Sequence, residues 1–176
     1  MKIILGVIKA DSGEIVGTKG KTFSAVFQED RLLPWLNVEK NIKYVQPDAD
    51  VDRLLNLVEL TECKGLMPDK LSGGMKRRVA IARALSKNAD IYAFDEAVKG
   101  LDFTLKRHIL NVINDRIKDK TAIVITHDLE EAIMLCDKIY CFGTDKMNLL
   151  KQIDITENKA ERNEETVKKY SAQIIG

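Results

Sequence analysis

The sequence lacks any strong excess of charge. Its 28 Lys and Arg residues meet 27 Asp and Glu residues, which leaves a net charge of +1. A nucleic-acid binder relying on bulk positive charge is thereby disfavoured, and only a local basic patch would serve. No apolar run approaches the ~20 residues that a membrane-spanning helix needs. The opening Met1-Lys2-Ile3-Ile4-Leu5-Gly6-Val7-Ile8 has one basic residue and a short apolar run, so no secretory signal is expected there. Cysteine is scarce and odd in number, and Cys63, Cys136 and Cys141 lack metal-ligand spacing. They are expected to be reduced, mostly buried thiols of a cytosolic protein. Internal repeats and low-complexity tracts are missing as well. What is there is 176 residues, 45% hydrophobic and 31% charged: one domain, with room for a real core and a subdomain.

Taken in order, residues 2–8 fit a helix end or a short strand, followed by a turn over 9–13. Glu14-Ile15-Val16 reads as a strand ending at Gly17, and Thr22 to Phe27 as a second. The two are expected to pair as a hairpin. Between them, Gly17-Thr18-Lys19-Gly20-Lys21-Thr22 carries the Gly-Lys-Thr ending of a phosphate-binding loop. The full pattern needs a glycine where Ile15 stands, and a helix afterwards. A β-type run follows instead, so the stretch is read as the hairpin turn.

Gln28 to Pro34 is a loop. Val38 to about Met67 reads as helical, with Val51, Leu54, Leu55, Val58 and Leu60 on one apolar face. Pro47 starts or precedes that helix and Pro68 closes the block. Ile91-Tyr92-Ala93-Phe94 is an apolar run ending abruptly in Asp95-Glu96. Residues 103–117 read as a helix with Leu105, Ile109, Leu110 and Ile113 on one side. Ala122 to Ile125 is a second buried-type strand, ending in Thr126-His127-Asp128. Strand, helix and strand predict a right-handed parallel βαβ unit. A helix over 129–136, a strand over Lys138–Phe142, a polar segment after Gly143 and a charged helix over 157–174 complete the chain.

The stretch Leu71-Ser72-Gly73-Gly74-Met75-Lys76-Arg77-Arg78 runs on into Val79-Ala80-Ile81-Ala82-Arg83-Ala84-Leu85. Ser72 is a good N-cap, Leu71 a hydrophobic staple, and helix formers follow. Unpaired N–H groups and the positive dipole end, with glycines beside them, let an anion approach. A glycine-rich turn before an ordinary buried helix explains the same residues.

Ligands in open α/β sheets bind at the carboxyl ends of the strands. Asp95 and Glu96 end one strand and His127 ends the next. Adjacent acids on an apolar strand need a partner or a task. Asp suits Mg²⁺, Glu can accept a proton from water, and His can hold a phosphate oxygen. A helix N-cap and a structural histidine are the plainer explanations of each alone. Together, after a glycine-rich helix start, they favour a nucleotide site.

On these residues the whole chain resembles the ATPase subunit of an ATP-binding-cassette (ABC) transporter. Val26-Phe27-Gln28-Glu29-Asp30 resembles the Q-loop, and Leu71-Ser72-Gly73-Gly74-Met75 the ABC signature. Ile91 to Glu96 resembles Walker B with its following glutamate. Gly100-Leu101-Asp102 falls at the D-loop and His127 at the switch histidine. Gln28 to Trp35 and the tail most resemble importers of the nitrate, sulfonate and taurine type. The resemblance implies an α/β fold, an incomplete P-loop NTPase parallel sheet with an inserted helical subdomain. Residues 1–28 and 83–176 would form the core, and 29–82 the helical signature subdomain.

The resemblance also implies ATP and Mg²⁺ as ligands. Gln28 and Asp95 would hold the metal, with Gln28 also sensing the γ-phosphate while linking to the helical subdomain. Ser72, Gly73 and Gly74 would cradle the γ-phosphate of ATP held by an opposite subunit. Glu96 would polarise the attacking water, His127 would contact the γ-phosphate, and Asp102 would act across the dimer interface. The implied partners are a second ATPase subunit, head to tail, and a transmembrane permease, with no nucleic acid. The permease would meet the helical block, with Leu32, Leu33, Trp35 and Leu36 as candidates. The implied location is the cytoplasmic side of the cell membrane, and the implied function is hydrolysis coupled to solute import.

The sequence departs from the family at Ala97, where proline is usual, and at Val98-Lys99 in the approach to the D-loop. The Walker A lysine, its strand and the adenine-stacking aromatic have no counterpart in these residues. The chain is therefore expected to be truncated at its start, to hold little ATP alone and not to turn it over. Two alternatives stand beside a transport ATPase: a non-catalytic partner offering its signature to a complete subunit, or an inactive fragment. A chromosome-maintenance ATPase is set aside, because only a short helical block without heptads separates Q-loop and signature.

Overall fold

Three parallel strands form the main sheet, in the order β1-β2-β3: β1 (Phe23–Val26), β2 (Ile91–Asp95) and β3 (Thr121–Ile125). The computed structural model describes residues 1–143 and 148–175. The chain divides into two units, Met1–Ile125 and Thr126–Gly176.

In the first unit, β2 lies between its two neighbours, and Ile91 to Phe94 are buried. The same kind of apolar run in β3 is only half buried, and Ile125 is 44% exposed. Among the described residues β3 has one strand neighbour where β2 has two, and a parallel strand needs cover on all sides to be buried. The helix α4 (Phe103–Arg116) joins β2 to β3 and buries Ile109, Leu110 and Ile113.

Between β1 and β2 the chain is helical: α1 (Val38–Lys43), α2 (Val51–Leu57), short 3₁₀ turns over Thr61–Cys63 and Pro68–Lys70, then α3 (Gly73–Ser86). The helix expected after Pro47 starts at Val51, capped by Asp50, whose side chain accepts from Arg53 N at 3.1 Å. Val51, Leu55, Val58 and Leu60 are buried. Asn41 is wholly buried. Its Oδ1 accepts from Leu33 N (2.8 Å), and its Nδ2 donates to the carbonyls of Leu33 (3.1 Å), Leu36 (2.7 Å) and Asn37 (3.1 Å).

The expected strand at Glu14–Val16 does not form, and Val16 is 80% exposed. The hairpin therefore does not form either, and Gly17–Thr22 is a loop leading into β1 rather than a hairpin turn. Residues 23–26 pair in parallel with β2 instead. A ladder against a fully buried strand outweighs a local pairing that would bury little. The register is pinned at Thr22, whose N and Oγ1 both donate to Asp90 Oδ2 at 2.8 Å. Asp90 N returns a bond to Thr22 O at 3.1 Å.

The second unit holds α5 (Leu129–Leu135), an antiparallel pair β4 (Lys138–Phe142) and β5 (Leu149–Asp154), and α6 (Glu164–Ile175). The sequence reading expected only a polar segment after Gly143. Residues 144–147 of it lie outside the described residues, and β5 follows. Ile153 and Ile155 form a cluster with Ile133 and Tyr170, which is the burial that this strand supplies. Arg162, also buried, donates to the carbonyls of Ile133 (2.9 Å) and Cys136 (2.7 Å) and to Asp137 Oδ1 (2.6 Å). Burial raises the Cys136 thiol to about 11. Glu157 accepts from Lys169 Nζ (2.7 Å) and Tyr170 OH (2.6 Å), and these bonds lower its carboxyl to about 2. Among the described residues no helix is long and apolar enough to cross a membrane.

Candidate functional site

The carboxyl ends of β1 and β2 lie side by side, with Val26 opposite Phe94 in the ladder. Gln28 follows β1 by two residues and is exposed, while Asp95 ends β2 and is partly exposed. The chain turns sharply at Glu96, whose φ of 50° lies in the left-handed region that a residue with a side chain rarely adopts. Its N–H donates to Ile125 O at 2.8 Å, which holds the turn against the end of β3. The Glu96 carboxylate is 17% exposed, and its Oε2 accepts from Lys99 Nζ at 2.6 Å. Ala97 and Val98 are buried behind it.

The start of α3 is the second part. Ser72 caps it, with Oγ accepting from Met75 N at 3.2 Å. Leu71 before it is buried. Gly73 and Gly74 are the first helical residues, and neither has a positive φ. A Cβ at Gly73 would meet nothing within 4 Å. One at Gly74 would stand 3.6 Å from Leu101 Cδ2, an ordinary contact. The turn carrying Gly100 and Leu101 therefore lies beside the start of α3. Asp102 caps α4, its Oδ1 accepting from Leu105 N at 3.1 Å.

Arginines of α3 tie this helix to its surroundings. Arg77, 8% exposed, donates from Nη1 to Phe27 O (2.7 Å) and from Nη2 to Gln28 O (2.5 Å). Its Nε lies 3.1 Å from Asp30 Oδ1. Arg83 donates to Asp30 O (3.0 Å) and Arg31 O (2.9 Å), and Arg78 to the carbonyls of Val58 (2.8 Å) and Glu59 (2.9 Å). Burial raises the Asp30 carboxyl above its ordinary value, against the lowering pull of Arg77, Lys76 and Arg83.

The first unit thus brings Gln28 and Asp95 to one sheet end, with Glu96 just beyond it, and sets Gly74 beside the turn that leads to Asp102. His127 belongs to the second unit and is exposed. Beside it, Thr126 Oγ1 accepts from Asp128 N at 2.9 Å, and Asp128 caps α5. Sequence reasoning missed Arg77 and Lys99. The signal for Lys99 was its departure from the family pattern next to Glu96. Arg77 gave none beyond its place in the helix.

A family model described as "ABC transporter" matches residues 1–99. The aliphatic sulfonates import ATP-binding protein of Bacillus licheniformis is 39% identical over 142 residues, covering 76% of this chain and 55% of the relative. That of Bacillus subtilis is 36% identical over 154 residues, covering 79% and 60%. One from Pseudomonas aeruginosa is 36% identical over 135 residues, covering 72% and 54%. The chain thus spans about 54–60% of the length of these relatives. Among solved structures, a dimeric ATP-binding cassette in a post-hydrolysis state, bound to ADP and Pi, matches with a TM-score of 0.67 and 25% identity. That match covers 78% of this chain and 65% of the other. With the parallel sheet and the helices inserted between its first two strands, these likenesses place the chain in the ABC transporter family.

Proposed function

We propose that the chain serves as the ATP-binding and hydrolysing component of an importer of the sulfonate type. It would act at the cytoplasmic face of the membrane with a permease and a second ATPase subunit set head to tail. The names of the relatives support import, and the dimeric structural neighbour supports a second subunit. The observation that carries the reading is the pair Gly73 and Gly74. Both are helical and both have room for a Cβ, so nothing in this chain's own packing asks for glycine. Glycine also loses more backbone freedom on becoming helical than alanine does, a cost of up to about 1 kcal/mol in a helix interior and less in this first turn. A bare backbone at a capped helix start is what an approaching phosphate needs.

In this reading Ser72, Gly73 and Gly74 receive the γ-phosphate of ATP held by the opposite subunit, and Asp102 acts across the interface. Gln28 and Asp95, oxygen donors at one sheet end, fit Mg²⁺, which takes few protein ligands and keeps waters and phosphates. Mg²⁺ when bound supplies neutralisation of phosphate charge. Glu96 orients the attacking water and accepts its proton, and His127 contacts the γ-phosphate. Residues 29–82 form the subdomain that meets the permease, with the 70% exposed Trp35 at its surface and Leu32, Leu33 and Leu36 half-buried beneath.

The test mixes the purified chain with a complete sulfonate-importer ATPase subunit and follows association with and without Mg-ATP. ATP-dependent association lost on Gly73→Asp is the expected result. Association that ignores both ATP and that substitution ends the reading.

One observation favours a second reading, a partner that offers its signature without turnover of its own. Lys99 Nζ already holds Oε2 of the Glu96 carboxylate at 2.6 Å, in competition with a water there. Steady-state phosphate release from the chain alone is then expected at background. Clear turnover abolished by Glu96→Gln would overturn this.

A further inference from the structure

The segment carrying Gln28 leaves the sheet at Val26 and closes on itself. Arg31 has a φ of 47°, and its guanidinium stacks 4.3 Å over the Phe27 ring. The carbonyls of residues 27, 28, 30 and 31 lie past the end of the β1 ladder and are taken by guanidinium groups of α3. Arg77 holds the first two as a planar fork while its Nε faces Asp30. It stands on the same helix as Gly73 and Gly74, one turn further along, and a helix is stiff over that length. The rest of α3 has other fastenings: Arg78 to Val58 and Glu59, and Ser24 Oγ to Ala84 O at 2.7 Å. Arg77 is thus one of several fastenings of the helix, and the one that holds the Gln28 carbonyl to it.

We propose that Arg77 is a positioning residue that makes the Gln28 segment and the start of α3 one body, so that a displacement at Gln28 reaches the backbone of Gly73 and Gly74. Its functional meaning rests on the reading above. Gln28 faces the nucleotide of its own side and the glycines face that of the partner, so the fork links the two nucleotides through one chain. Lysine cannot replace it, because a single ammonium on a flexible stem does not reproduce a fork that holds two carbonyls side by side.

The experiment uses amide NMR and hydrogen exchange on the whole chain. Arg77→Lys is expected to speed exchange at residues 28–31 by roughly tenfold or more, with the β1 and β2 ladders unchanged. Gln28→Gly is expected to move the amide resonances of Gly73, Gly74 and Met75 when Arg77 is present, and to leave them in place when Arg77→Lys is also present. Arg78→Lys, which frees Val58 and Glu59 instead, retains the response. The proposal is overturned if Gln28→Gly has no effect on those resonances with Arg77 present, or the same effect without it. None of these readouts needs nucleotide. A failure of ATP-dependent association therefore strikes the nucleotide reading and leaves the mechanical link standing.

Discussion

Two glycine-bearing stretches of this chain look alike on paper and behave differently in the fold. Gly17–Thr22 and Leu71–Arg78 both set basic residues beside a pair of glycines. In the first, Gly17 and Gly20 have φ of 86° and 76°, so they are turn glycines that the backbone requires. The stretch is tied at its far end, through Thr22 to Asp90, and Lys21 is exposed. In the second, the glycines are helical and the backbone does not require them. A serine cap, a buried leucine and a buried arginine fix their position. Glycine used for φ serves the chain itself. Glycine where alanine would fit is not explained by the chain's own packing, and that is the ground of the proposed phosphate contact.

The largest expected effect on this contrast comes from Arg77→Gln, which leaves two carbonyls and Asp30 without their partner. It should cost about 2 kcal/mol in denaturant unfolding, whereas Lys21→Ala should change stability by less than about 0.5 kcal/mol. Removing the cap by Ser72→Ala should cost about 1 kcal/mol, again with little response from Thr18→Ala. A sharper test exchanges the glycines. Gly73→Ala and Gly74→Ala should each stabilise by up to about 1 kcal/mol, while Gly20→Ala should lose about 1 kcal/mol by forcing a side chain into the left-handed region. Equal losses at all three would break the distinction between the two kinds of glycine.

The subtlest effect is one of pH, and the two stretches should answer with opposite sign. Bonds from Thr22 N and Oγ1 lower the Asp90 carboxyl below its ordinary 3.8. Its contribution is present above that value and is lost as pH falls through the folded one. Burial raises the Asp30 carboxyl, so its contribution is full below 3.8 and is lost as pH rises through the folded value. Melting temperatures of Asp90→Asn and Asp30→Asn against the native chain, from pH 7 to pH 3, measure this. The gap for Asp90→Asn should narrow toward acid, and that for Asp30→Asn should move in favour of the native chain.

Much of the site's framework was legible because it rests on local chemistry. Ser72 is a capping type ahead of a helix-forming run, and it caps. Asp95-Glu96 after four apolar residues marks a strand end, and the strand ends there. Partners distant in sequence were not legible. Residues 22–27 alternate in a way that suits a hairpin as well as a parallel edge, and only the burial of β2 decides. Leu149 to Asp154 read as polar because a two-stranded pair needs few inward residues, and Ile153 is its one buried position. Arginine at position 77 gives no sign in the sequence that residues 27, 28 and 30 come round to meet it. The left-handed turn at Glu96 has no signature in residue type at all.

Asn41 gives the loop before α1 a property that shows only when something touches it. One buried amide holds the backbone at Leu33, Leu36 and Asn37, and Trp35 projects from the span between them. A loose loop bearing an indole must surrender its freedom on contact, at about 1–2 kcal/mol for each residue ordered. Here that ordering is completed during folding. A surface that met Trp35 would meet an anchor already in place, and the ordering of this loop would not be charged against the association.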